Sequence, residues 1–220
     1  MDFLTQWLGW MPNLAPGLVI SLQLTGLALL IGFPFGLLLA VMAEAKFRPF
    51  QWISFTFVEI GRGLPALVLL YLLYFSLPDA GITLTSLTTA IIALSWNTGA
   101  YASEYFRAGL AAVPLGQKEA AITSGLSGWT GFRIVILPQA LRISTPPLAG
   151  LAVLVFQGSA LAFVIAVPEL MSKAFEIGSI TFEYLSVYTL TAVVYGSLTL
   201  IFLGLVRLLE LRLGRHLLRN

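Results

Sequence analysis

The chain has 220 residues, of which 58% are hydrophobic and 10% charged, with a mean hydropathy of +0.93. So few charges cannot cover the surface of a water-soluble domain, and the composition describes an integral membrane protein. The formal net charge is +2, cysteine is absent, and the scattered basic residues form no aromatic-basic platform, which excludes a disulfide scaffold and gives nucleic-acid binding no support.

A membrane-crossing helix takes about 20 apolar residues, so the chain has room for five or six and for no sizeable soluble domain. The expected fold is all-α and polytopic, a single transmembrane domain over residues 1–220 with about five spans. Residues 3–12, with Trp7, Trp10 and Met11, predict a short N-terminal interfacial helix ended by Pro12 and Pro16. The first span follows at about 17–42, where Gly26, Gly32 and Gly36 offer close-packing surfaces. Glu44, Lys46 and Arg48 close it at a polar loop. The second span, about 50–77, holds Glu59 and the run Gly61-Arg62-Gly63-Leu64-Pro65. That run breaks regular helix, and such breaks survive in a bilayer only when buried in protein or lining a cavity. Pro78-Asp79-Ala80-Gly81 is a turn, and the third span, about 86–112, carries Asn97, Thr98, Tyr101, Ser103, Glu104 and Arg107.

Residues 113–145 form the longest polar interruption. Within them the sequence predicts a short helix over Gly116–Ser124, a turn at Gly125–Gly128 and a second helix closed by Pro138. Glu119, Ala120 and Ala121 set one carboxylate beside two methyl-sized side chains. This is either a flush surface for a groove on another protein or an ordinary helix-turn-helix loop between spans. Pro146 and Pro147 open the fourth span, about 146–167, which carries Gln157, Gly158 and Ser159. Residues 168–186 form a more polar, partly helical loop with Glu169, Lys173, Glu176 and Glu183. The fifth span, about 187–209, leads to a basic tail with Arg212, Arg215, His216 and Arg219.

Five spans put alternate loops on opposite sides. One side receives Lys46, Arg48, Arg107, Lys118, Arg133, Arg142, Arg207, Arg212, Arg215 and Arg219, and the other receives Lys173 alone. The positive-inside rule then makes the Glu119 loop and the C-terminus cytoplasmic and the N-terminus external.

With a rise of about 1.5 Å per residue, Arg62, Asn97 and Gln157 each lie roughly 16–18 Å into their spans, near the midplane. Intramembrane polar residues are costly and face a bundle interior or a cavity, so Arg62, Asn97, Gln157 and Ser159 are the candidate lining of a polar pathway. Arg62 either pairs with a substrate carboxylate or neutralises Glu59 three residues earlier, and both roles can coexist. Asn97 either meets a ligand or bonds a neighbouring helix, and Gln157-Gly158-Ser159 is either part of the pathway or small-residue packing. Glu104 and Arg107 share the three-residue spacing nearer the cytoplasmic edge and read as a structural pair or a brace for the loop.

Glu119-Ala120-Ala121, three residues, Gly125, nine residues, Val135, one residue and Leu137-Pro138 resembles the cytoplasmic EAA loop of ATP-binding-cassette importer permeases, with Val135 where Ile is usual. Ala100–Gly109 and Val135–Arg142 are similar to the polar amino acid uptake family, and the resemblance runs from about Ser21 to Gly204. Arg62-Gly63-Leu64-Pro65 looks like that family's Arg-Gly-x-Pro run. Phe156–Leu161 resembles its segment ending in Thr-Ser-Leu beside the translocation path, with Gly158 and Ala160 in place of commoner polar residues. The resemblance implies a permease subunit of the bacterial inner membrane, coupled through Glu119, Ala120, Ala121 and Gly125 to cytoplasmic ATPases that carry ATP and Mg. It also implies a second permease chain, identical or paralogous, and an external substrate-binding protein.

No Gly-x-x-x-x-Gly-Lys-Ser/Thr phosphate loop occurs, so an ATPase would have to be a separate subunit. The alternative is an ion-coupled carrier or channel working without an ATPase, for which Glu59 is the deeply placed carboxylate. A membrane enzyme is set aside, because no cysteine, one tail histidine and two aspartates at positions 2 and 79 make no triad or metal cluster.

Overall fold

The computed structural model describes residues 3–214, all of whose regular elements are helical. Arg215, His216 and Arg219 lie outside the described residues, as does the side chain of Arg212. The elements are α1 (Phe3–Ala43), α2 (Arg48–Gly63), α3 (Ala66–Tyr71), α4 (Ser86–Ala112), α5 (Leu115–Thr123), α6 (Gly128–Gly131), α7 (Leu137–Gly158), α8 (Leu170–Thr181) and α9 (Tyr184–Gly214).

The 41-residue α1 corrects the first boundary expected from sequence, because Pro12 and Pro16 lie inside it and no separate interfacial helix ends there. A proline's fixed φ suits helix, and its cost is the lost N–H and the crowding of the carbonyl four residues back. Four residues apart, these two prolines place both losses on one face, and that face is exposed at Leu8 and Pro12. A similar correction applies to Pro138, Pro146 and Pro147. Helix runs through all three, from α6 by a π-helical turn (Phe132–Ile136) into α7 and on through a 3-10 segment (Ser159–Ile165). The wide bonding of the π turn ahead of Pro138 does not need the N–H that proline lacks. The apolar stretch that begins at Gly128 is therefore 38 residues long.

Three described helices are long and apolar enough to cross a membrane, and α2 with α3 adds a fourth crossing if that bent pair is one span. The bend is 106° and falls at the Gly-Arg-Gly-Leu-Pro run. Leu64 is extended (ψ 135°), as a residue before proline must be, and Pro65 starts α3. The 27-residue α4 is about 40 Å long but richer in polar residues. It forms the core of the bundle, packed by α1, α2, α3 and α7, so buried Thr89, Ser95, Thr98 and Ser103 are shielded from lipid.

Small residues set the closest approach. A Cβ on Gly36 would come within 2.6 Å of the Gly99 carbonyl oxygen, and one on Gly32 within 2.9 Å of the Ser95 carbonyl oxygen. The Gly32-x-x-x-Gly36 face therefore lets α1 lie against α4. Gly26 faces open space and takes no part in that contact.

Candidate functional site

The α2–α3 break leaves carbonyls without helical partners, and α4 supplies them. Gly61 would bond the N–H four residues on, but that residue is Pro65. Asn97 instead donates its side-chain amide to the Gly61 carbonyl at 2.7 Å, and the Tyr101 hydroxyl lies 3.5 Å from that of Arg62. One turn earlier the Trp96 indole donates to the Phe57 carbonyl at 2.9 Å. Three side chains from two successive turns of α4 thus hold the end of α2, and a Cβ on Gly61 would meet the Ala100 methyl at 2.7 Å.

This clamp fixes a cleft of about 520 Å³ between α1, α2 and α4, lined by Gln51, Ser54, Glu59, Arg62, Glu104 and Arg107 among others. Arg62 donates to the Glu59 carboxylate, and Arg107 to that of Glu104 at 3.1 Å. The three-residue spacing puts each pair on one helix face. All four side chains remain between about a third and a half exposed, so each ion pair is open to the cleft. The sequence separates Glu104 and Arg107 as an edge pair, whereas the fold brings both pairs, one from α2 and one from α4, to the same cleft.

The four pathway residues do not line one cavity. Asn97 faces a separate space of about 300 Å³, shared with Tyr101, Tyr105, Leu154 and Gly158. Gln157 is exposed and donates to the Thr199 hydroxyl of α9 at 3.3 Å. Ser159 is fully buried, its hydroxyl bonded back to the Phe156 carbonyl at 2.7 Å. Equal depth along separate helices says nothing about azimuth, and azimuth separates these four.

At the loop, α5 ends in a Schellman turn. The Leu126 N–H donates to the Ala121 carbonyl at 2.9 Å and the Gly125 N–H to that of Ile122 at 3.0 Å, with Gly125 at φ +77°. Gly125 is the residue type that this backbone accepts without strain. Glu119 and Ala120 are exposed, as are Leu115 and Ile122 at 68% and 63%. Ala121 is buried against the protein body, so the exposed face of α5 carries one of the two expected methyl groups.

Sequence reasoning left Glu169 as one acid in a polar loop, yet it is fully buried. Its carboxylate caps α8, accepting the N–H groups of Met171 at 2.9 Å and Ser172 at 2.8 Å. It also accepts the hydroxyls of Ser21 on α1 at 3.2 Å and Tyr195 on α9 at 3.0 Å. Burial pushes its pKa up, and the four donors oppose that shift. An acidic residue directly after proline and before an apolar run is an N-cap signal, and it was available in the sequence.

A helical bundle with apolar spans, a broken helix, a charged cleft and a short exposed helix is a polytopic membrane domain. Residues 32–215 match the family described as binding-protein-dependent transport system inner membrane component, and the chain belongs to that family. It is therefore a multi-pass inner-membrane permease subunit of an ABC transporter, not itself the catalytic component. The L-cystine transport system permease protein TcyB of Bacillus subtilis (strain 168) is 36% identical over 206 residues, covering 93% of this chain and 88% of that protein. The arginine transport system permease protein ArtQ of the same organism is 32% identical over 203 residues, covering 92% and 93%. Among solved structures, a chain of an amino acid ABC transporter crystallised with histidines superposes with a TM-score of 0.90 at 35% identity, covering 96% of this chain and 99% of that one. An inward-facing chain of the MetNI methionine ABC transporter, at 20% identity and a TM-score of 0.73, shares the fold.

Proposed function

We propose that this chain forms part of the translocation path for polar amino acids and couples it to a separate ATPase through α5. The observation that carries this reading is α5 itself. It is a nine-residue helix at the end of the bundle that exposes Glu119, Leu115 and Ile122 and is held at its far end by the Gly125 turn. An exposed apolar pair beside a carboxylate, on a helix braced by Ala121, is a surface shaped for a protein partner. ATP and Mg belong to that partner. A second permease chain, identical or paralogous, completes the path, and an external binding protein delivers the substrate.

The cleft suits the substrate class. A zwitterion carries one carboxylate and one ammonium, and the wall offers two guanidinium groups and two carboxylates in neighbouring pairs. Glu59 is engaged by Arg62, which removes the free deep carboxylate that an ion-coupled carrier would use. The proposed orientation is N-terminus outside and C-terminus cytoplasmic, from the asymmetry of Lys and Arg.

Co-purification from the native membrane tests this reading. The parent chain should bring down an ATPase subunit, and Glu119→Lys should reduce the amount recovered severalfold while inserting normally. Recovery of the parent chain alone, stable in mild detergent, would overturn the proposal.

A further inference from the structure

A second cleft, of about 770 Å³, opens between the α1–α2 loop, the end of α4, and α5 with the start of α6. The transport reading makes no use of it. Its walls divide by chemistry. Leu110, Phe132 and Ile136 make an apolar side, while Lys46, Lys118 and Glu44 make a charged rim. Trp129, two-thirds exposed, stacks on Phe132 with centroids 5.4 Å apart and planes 25° from parallel. Among the described residues, no carboxylate lies within 4.0 Å of either lysine ammonium. Lys118 is half-buried on the helix that also carries buried Ala121, whereas Glu119 is exposed.

We infer that this cleft is a binding site for an anionic phospholipid of the adjacent leaflet. Three features favour that occupant. The rim holds two lysines against one glutamate, a net positive charge suited to a phosphodiester. Leu110 on α4 and Phe132 and Ile136 of the π turn line the same cleft as the lysines, so apolar surface for an acyl chain stands beside the charges that would hold a headgroup. The cleft also lies at the ends of α1 and α4 and the start of α2, the level at which an exposed indole belongs in a membrane protein. A free phosphate would use the lysines and leave the greater part of the cavity empty. Because Lys118 sits on α5, an occupied cleft ties the lipid headgroup to the helix proposed to couple to the ATPase. The inference uses the orientation proposed above, but binding is read out without any transport.

Fluorescence quenching tests it on the purified transporter in nanodiscs. The lipid probe is phosphatidylglycerol or phosphatidylcholine, brominated near the glycerol end of the acyl chains and titrated over the same range of mole fraction. The Trp129 signal is the difference between parent and Trp129→Phe. One net positive charge corresponds to about a fivefold preference for the anionic lipid. Trp129 should therefore be quenched at roughly fivefold lower phosphatidylglycerol than phosphatidylcholine. The preference should be lost and turn toward phosphatidylcholine in Lys46→Gln/Lys118→Gln, where Glu44 alone remains, persist in Lys46→Arg/Lys118→Arg and grow in Glu44→Gln. Equal quenching by the two lipids, or a preference that survives the double glutamine change, would overturn the assignment. Relief of quenching by inorganic phosphate alone would make this a soluble-anion site and equally overturn it.

Discussion

Asn97 shows how one side chain can be read in two ways and placed by its partner. Its amide replaces the N–H that Pro65 cannot offer to Gly61, so it holds the end of α2 before it meets any ligand. Removing it leaves a partly buried carbonyl unpaired, at a cost of about 1–3 kcal/mol. Asn97→Ala should lower the unfolding midpoint of the purified chain, and Gln157→Ala, made at an exposed site, should lower it less. Glu169 behaves differently because it titrates. Burial raises its pKa above the ordinary 4.5, so the folded chain holds this proton more tightly than the unfolded chain does. The stabilising contribution is complete below the unfolded pKa and is lost as pH rises through the folded one. The melting temperature of Glu169→Gln relative to the parent should therefore rise with pH from about 4.5 upward. A difference that stays flat or falls would contradict this account of the buried carboxyl.

At the scale of elements, the α2–α3 break was legible because Gly-Arg-Gly-Leu-Pro names its own cause, a pre-proline residue forced out of helix. The α5 turn was legible for the same kind of reason, since Gly125 stands where a helix must exit at positive φ. Gly125→Ala should cost about 1–2 kcal/mol locally. It should release α5 toward exchange, measurable as faster amide hydrogen exchange over Leu115–Thr123, while α4 is unchanged. The prolines in α1 and α7 misled, because breaking power in water was carried over to helices whose context tolerates a missing N–H. The separation of Arg62, Asn97, Gln157 and Ser159 into different surroundings was not legible either. Depth follows from counting residues, but the face a residue shows depends on how α4 rolls against α1 and α2.

For the whole molecule, composition alone specified a helical membrane protein, and the polar α4 explains why counting apolar spans falls short. Its buried hydroxyls are solvated by neighbouring helices rather than lipid, so it reads as too polar to cross while standing at the core. The Glu59–Arg62 and Glu104–Arg107 pairs are different, charges neutralised in pairs that stay partly exposed and face one cleft. The central claim is that this cleft conducts amino acids only when α5 is driven by a separate ATPase. The most direct measurement is uptake of a radiolabelled polar amino acid into proteoliposomes containing this chain, with and without its ATPase and binding protein. The account predicts ATP-dependent uptake only in the complete assembly, abolished by Glu119→Lys and by Arg62→Ala, the latter with the complex still assembled. Uptake by this chain alone, without ATP, would contradict it.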